Sequence, residues 1–194
     1  MKAKVILIAA IVVGAGILHS QDLPPSARHA LNQRFSHWSF RPSHIPNPCD
    51  IPGEPRPSFK PVSKCNLNGD GIPDYLVAIT KGRDSNIVEY FIALVSSSDS
   101  YSLFLLDSAK INQGAGERNV EVMPSGLPLN FFGGDEEISN YGRVKKGGEV
   151  GEDQIAFPTD AIEIYPECEA HWKEAPMFAS IFIKGRFVSF MVSD

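Results

Sequence analysis

The sequence predicts an α+β fold in which an N-terminal helix and a proline-rich arm pack on a mostly antiparallel β-sheet, a meander rather than a propeller. Three observations on the 194 residues carry that expectation. Apolar residues recur at helical spacing near the N-terminus, seven prolines fall between Pro42 and Pro61, and beyond them short β-branched and aromatic runs alternate with turn-rich breaks. The expected organisation is an export signal over 1–20, helix and arm over 21–61, and one sheet domain over 62–194, with a cation loop at 66–74 and a Gly-rich loop at 133–154.

Lys2 and Lys4 precede the unbroken apolar run Val5 to Leu18, and small or polar residues follow at His19-Ser20. That is the layout of a cleaved secretory signal, since the run falls short of the roughly 18 to 20 residues a spanning helix needs. Cleavage is expected near Ser20, with Gly16 as the alternative, and no cysteine at the junction points to a lipid anchor. The product is expected to be secreted or periplasmic, with no membrane contact after cleavage. The formal charge of −5, made more negative by loss of Lys2 and Lys4, disfavours nucleic acid and anionic membranes as partners. The nearest basic cluster, Arg143-Val-Lys-Lys146, is too short for either.

Export implies an oxidising compartment, yet the cysteines are three: Cys49, Cys65 and Cys168. A Cys49–Cys65 disulfide would close a short loop over the prolines and is the first expectation. Cys65–Cys168, or three buried thiols, are the alternatives.

Taken in order, the first element is an amphipathic helix from Ser26 to Phe35. Ser26 is its expected N-cap, Ala27, Ala30, Leu31 and Phe35 form its buried stripe, and His29 and Arg34 lie off it. Trp38 and Phe40 then read as packing aromatics, a sugar-stacking platform being the lesser reading. The prolines at 42, 46, 48, 52, 55, 57 and 61 exclude helix and disfavour sheet, so an extended wrapping arm is expected.

Residues 66–74 read Asn-Leu-Asn-Gly-Asp-Gly-Ile-Pro-Asp. Oxygen-bearing side chains recur at Asn66, Asn68 and Asp70, and a fourth arrives at Asp74. With the Ile72 carbonyl they offer a hard cation, Ca²⁺ foremost, one set of oxygen donors, while Gly69 and Gly71 permit the positive-φ turns that such a curl requires. The alternative is a metal-free turn rich in Asx residues. Strands are expected at Tyr75–Thr80, Ile87–Val95, Tyr101–Leu106 and Asn119–Met123, then at Asp160–Tyr165, Phe178–Ile183 and Phe187–Val192. Gly185 marks a tight hairpin between the last two. Residues 133–154 show no period and read as a long loop.

An EF-hand would place a bidentate glutamate eleven residues after Asn66, where this chain has Val77, and a helix where it has a strand. The loop instead resembles the calcium loop of FG-GAP and VCBS-type repeats, in which such a turn runs into a β-strand. That resemblance implies Asn66, Asn68, Asp70, the Ile72 carbonyl and Asp74 as ligands. Only one copy occurs, so no propeller is implied. Beyond the loop the chain looks like small secreted bacterial proteins of unassigned function, through Asp160-Ala-Ile-Glu-Ile-Tyr165, the hairpin at Gly185-Arg-Phe187 and the terminal Val192-Ser-Asp194.

No nucleophile elbow, zincin helix or phosphate loop occurs, Gly114-Ala-Gly116 lacks a third glycine, and Cys168-x-x-His171 is half a zinc site at most. The expected function is calcium binding in a monomeric, non-catalytic envelope or extracellular module with an unidentified protein or glycan ligand. The alternative is a secreted hydrolase acting on cell wall or polysaccharide with a structural calcium, its site lying between the sheet and the Gly-rich loop. Converging acids in a cavity would favour the hydrolase.

Overall fold

A computed structural model describes residues 23–42, 60–83, 86–111, 118–131, 136–145, 153–166 and 177–193. The signal segment, the middle of the proline-rich arm, Cys49, Cys168, His171 and most glycines of 133–154 lie outside the described residues. Those described form a mostly antiparallel β structure with two short helices and no closed barrel.

Helix α1 spans Pro25–Arg34 and begins one residue earlier than expected. Ser26 lies inside it, and Pro24 holds the N-cap position with no side-chain cap. The reason is Pro25, whose ring pre-sets a helical φ at a position where its missing N–H costs nothing. Ala27 and Leu31 are fully buried and Phe35 nearly so, while His29 and Arg34 are exposed as their spacing demands.

The first sheet comprises β1 (Ser39–Phe40), β2 (Val62–Cys65), β3 (Asp74–Lys81), β4 (Val88–Ser97) and β5 (Ser100–Lys110). Its order is β1-β3-β4-β5, and β2 pairs with β3 beside the loop, on the edge that β1 shares at the other end. The meander β3-β4-β5 matches the expectation from the short breaks, with Ser98, at φ 52°, in the β4–β5 turn. The second sheet is built from β6 (Arg118–Met123), β7 (Leu129–Phe131), β8 (Arg143–Lys145), β9 (Asp153–Ala156), β10 (Ala161–Pro166), β11 (Met177–Ile183) and β12 (Arg186–Ser193). Its order is β6-β10-β11-β12-β7-β9-β8. Lys184 and Gly185, at φ 49° and 85°, close the β11–β12 hairpin.

Where the strand pattern suggests one sheet, there are two, because β3 and β4 must be covered on both faces. Leu76, Val77, Ala78 and Ile79 are all buried in succession, as are Phe91 to Val95. Val77, Ile79, Ile92 and Leu94 pack under α1 with Ala27 and Leu31. Leu76, Ala78, Phe91 and Ala93 face the other way, onto Val120 and Ile162 of the second sheet. Phe104 of β5 meets Phe182 and Phe187 there at 5.2 and 5.5 Å between ring centroids. A third cluster, including Ala179, Ile181 and Phe190, lies on the outer face of the second sheet.

The stretch 133–154, read as loop, contributes helix α2 (Glu136–Tyr141), β8 and the start of β9. Ile138 is 1% exposed within the outer cluster and Tyr141 packs against it. Two of the few apolar residues in that stretch thus supply its attachment.

Candidate calcium loop

The loop is the connection of a β-hairpin. Cys65 at the end of β2 pairs with Asp74 at the start of β3, so the intervening chain must reverse within eight residues. Short polar side chains make that reversal by capping backbone N–H groups. Asn66 Oδ1 accepts from Gly69 N at 3.1 Å, Asn68 Oδ1 from Asp70 N at 3.1 Å, and Asp70 Oδ1 from Ile72 N at 2.7 Å. Gly69 and Gly71 take φ of 77° and 78°, where a Cβ would crowd the following carbonyl. Leu67, fully buried, pins the loop into the core between the sheets.

Asp74 is fully buried and accepts four hydrogen bonds. Its Oδ2 receives Leu67 N at 2.6 Å and Asn68 N at 3.2 Å. Its Oδ1 receives Ser96 N at 2.7 Å and Ser96 Oγ at 2.8 Å. Four donors match the roughly four lone-pair directions of a carboxylate, which is what allows one to be buried. From the second sheet, Asp160 accepts Asn66 N at 2.8 Å and Ser125 N at 2.9 Å, and its own N–H donates to Asn66 O at 3.0 Å. Tyr101 donates its hydroxyl to Pro73 O at 3.2 Å. Burial, followed by the neighbouring Tyr75 and Asp74, pushes its phenol above the ordinary value.

Ser96, at the end of β4, carried no signal in the sequence and proves central. Its Oγ lies 2.8 Å from Asp74 Oδ1, 3.4 Å from Asp70 Oδ2 and 3.4 Å from Ile72 O. Neighbouring oxygens on one Ca²⁺, at 2.3–2.6 Å bonds and pentagonal-bipyramidal angles, stand about 2.7–3.7 Å apart. The three oxygens near Ser96 Oγ therefore each stand from it at a spacing that two ligands of one ion could have, and all are suitably hard. Asn68 joins them through its amide, Nδ2 donating to Asp70 Oδ2 at 2.9 Å and Ser96 O at 3.0 Å. The side-chain oxygens of the expected ligands are already engaged within the turn: Asn66 Oδ1 by Gly69 N, Asn68 Oδ1 by Asp70 N, Asp70 Oδ1 by Ile72 N and both Asp74 oxygens by their four donors. That leaves Asp70 Oδ2 and the Ile72 carbonyl facing Ser96 Oγ. The donor set is all hard oxygen with few charges. Asp70 and Asp74 are the only carboxylates among the five expected ligands, and among the described residues no three His, Cys, Asp or Glu side chains gather.

Cys65 is a buried free thiol beside the loop, pushed well above the usual thiol range by burial, then by the charges of Asp74 and Asp160. It is chemically quiet in that state. Its expected partners, Cys49 and Cys168, lie outside the described residues. Between α2 and the β11–β12 turn, where a hydrolase site was expected, there is a cavity of about 450 Å³ lined by Glu137, Asn140, Tyr141, Ile183 and Lys184. Among the described residues its one acid is Glu137, which Arg186 and, at 3.9 Å, Lys184 hold. Glycoside hydrolysis calls for a pair of acids, and among the described residues this lining shows one.

No protein-family model, no curated protein and no solved structure matches the chain.

Proposed function

We propose that the chain is an exported, non-catalytic module that binds Ca²⁺ at residues 66–74. The observation that carries this reading is the convergence of Asp70 Oδ2, Ile72 O and Asp74 Oδ1 on Ser96 Oγ at distances suited to one coordination sphere. In it, Asp70, Asp74 and the Ile72 carbonyl hold the ion, Asn68 joins by turning its amide oxygen inward, and Asn66 shapes the turn as well as contributing oxygen. The ion's chemistry is charge neutralisation and rigidity. It would lock the β2–β3 hairpin to the end of β4 and, through Asn66 and Asp160, to the second sheet. The module's own partner is a protein or glycan.

Two carboxylates suit weak binding, in the range of about 10⁻⁴ to 10⁻³ M seen for extracellular modules. Calorimetric titration of the purified protein is the test, with thermal unfolding alongside. At a Ca²⁺ concentration ten times the Kd, linkage adds about 1.4 kcal/mol of stability, and hence about 3–5 °C in Tm for a chain of this size. Ser96→Ala is expected to weaken the ion's hold. The absence of both heat and a Tm shift at several millimolar Ca²⁺ would remove the calcium site and leave the loop a self-satisfied turn.

A further inference from the structure

We propose a second site, independent of the calcium loop: the open pocket between α1 and β1 binds the oxyanion of a small ligand, a carboxylate or a phosphate. The pocket has a volume of about 290 Å³ and is lined by Arg28, Asn32, His37, Trp38, Ser39 and Phe40. That size holds a single sugar or a similar small molecule, not a chain.

The chemistry of the lining selects the ligand. None of the six residues bears a carboxylate, although acids outnumber bases in the chain by 23 to 18. Arg28 projects from the exposed side of α1 with its guanidinium carbon 5.8 Å from the Trp38 ring centroid and 5.6 Å from that of Phe40. The two rings meet edge to face at 5.1 Å, so the guanidinium rests on a fixed aromatic corner. Among the described residues no acidic side chain forms an ion pair with it. Trp38 Nε1 donates to Asn32 Oδ1 at 2.8 Å, which consumes the amide's acceptor and leaves its NH₂ to donate. Arg28 and Asn32, four residues apart, share one face of α1.

The tight turn before β1 holds His37 at φ 56°, and Lys81 reaches the same turn, its Nζ 3.5 Å from Ser36 Oγ. A guanidinium fork resting on two rings, an amide NH₂ and an imidazole thus line the space, with an ammonium at the adjoining turn and no carboxylate in the lining. Such a lining recognises an oxyanion by charge-assisted, bidentate hydrogen bonds. The arginine also lies over the aromatic corner, so a neutral sugar would have to compete with it for those ring faces.

The test follows the Trp38 indole N–H by ¹⁵N NMR in calcium-free Tris buffer at constant chloride, with glucuronate, inorganic phosphate and glucose as probes. Saturable shifts are expected with glucuronate, phosphate or both, at a Kd of about 1 mM, and none with glucose. Which anion binds more tightly identifies its source. Arg28→Lys keeps the charge but loses the fork, and should weaken binding about tenfold. Arg28→Gln should abolish it. Asn32→Asp still accepts from Trp38 but turns a donor into a negative charge, and should abolish binding with the arginine intact. Equal shifts with glucose, no saturable shift with either anion, or unchanged binding in Arg28→Gln would each overturn the proposal.

Discussion

Asp74 shows how one buried side chain can hold a turn and a strand end together. Its carboxylate gathers backbone donors from the loop at Leu67 and Asn68, and both donors of Ser96 from β4, inside a space from which water is excluded. Asp74→Ala would leave three buried N–H groups unsatisfied and is expected to cost about 3 kcal/mol or more. Asp74→Asn is nearly isosteric, yet whichever way the amide turns, its NH₂ faces donors. We therefore expect it to recover little of the loss, about 2–3 kcal/mol below wild type. Urea unfolding without Ca²⁺ checks both variants, and an Asp74→Asn protein as stable as wild type would show that the negative charge is not what the four donors recognise. The polar turn over 66–74 was legible in the sequence because Asx spacing is local. Ser96 was not, because it reaches the loop from more than twenty residues away through strand pairing, and serine near a turn is common.

At the scale of elements, the hairpin β2–loop–β3 is held by two glycines whose backbones are nearly alike and whose surroundings differ. A Cβ on Gly71 would meet nothing within 4 Å, whereas one on Gly69 would lie 3.1 Å from Thr159 Cγ2. Gly71→Ala is thus expected to cost only its left-handed φ, about 1–2 kcal/mol. Gly69→Ala adds a contact with the nearly buried Thr159 and should cost more. Thermal unfolding of the two variants, with Thr159→Ser added to Gly69→Ala, tests the difference: the serine should return the second variant to the level of the first. The strands with strong local pattern, β3, β4, β10, β11 and β12, were legible from sequence, as were α1 and the closing hairpin. The two-residue β1, the four-residue β2 and the pieces β7 to β9 were not, because each is too short to show a period and exists through its partner. Helix α2 was hidden for the same reason: Ile138 and Tyr141 give it one apolar side over six residues, and the surrounding glycines and charges outweigh them in any window.

The whole molecule is an α-helix over one sheet with a second sheet beneath, and polar groups fix how these layers meet. Asp160 ties the loop to the second sheet, while Arg41 and Glu89 tie the chain after β1 to β4. Arg41 donates its backbone N–H to Ala78 O at 3.0 Å, and its Nε lies 2.6 Å from Glu89 Oε1, both side chains only 2% exposed. This pair stands just after β1, so it fixes the chain there against β4. A buried pair gains Coulomb energy at the expense of hydration, so its net contribution is small, while the cost of breaking it is large. Glu89→Ala should remove the nearest counter-charge from the buried Arg41 and lower stability by about 3–5 kcal/mol, and Arg41→Ala should do the same for Glu89. The double variant Arg41→Met with Glu89→Leu removes both charges and refills the volume, so its stability should return to within about 1–2 kcal/mol of wild type. Chemical denaturation of the three variants decides the matter. If the double variant were as unstable as either single one, the contacts these two side chains make, and not the balance of their charges, would be what ties the chain after β1 to β4.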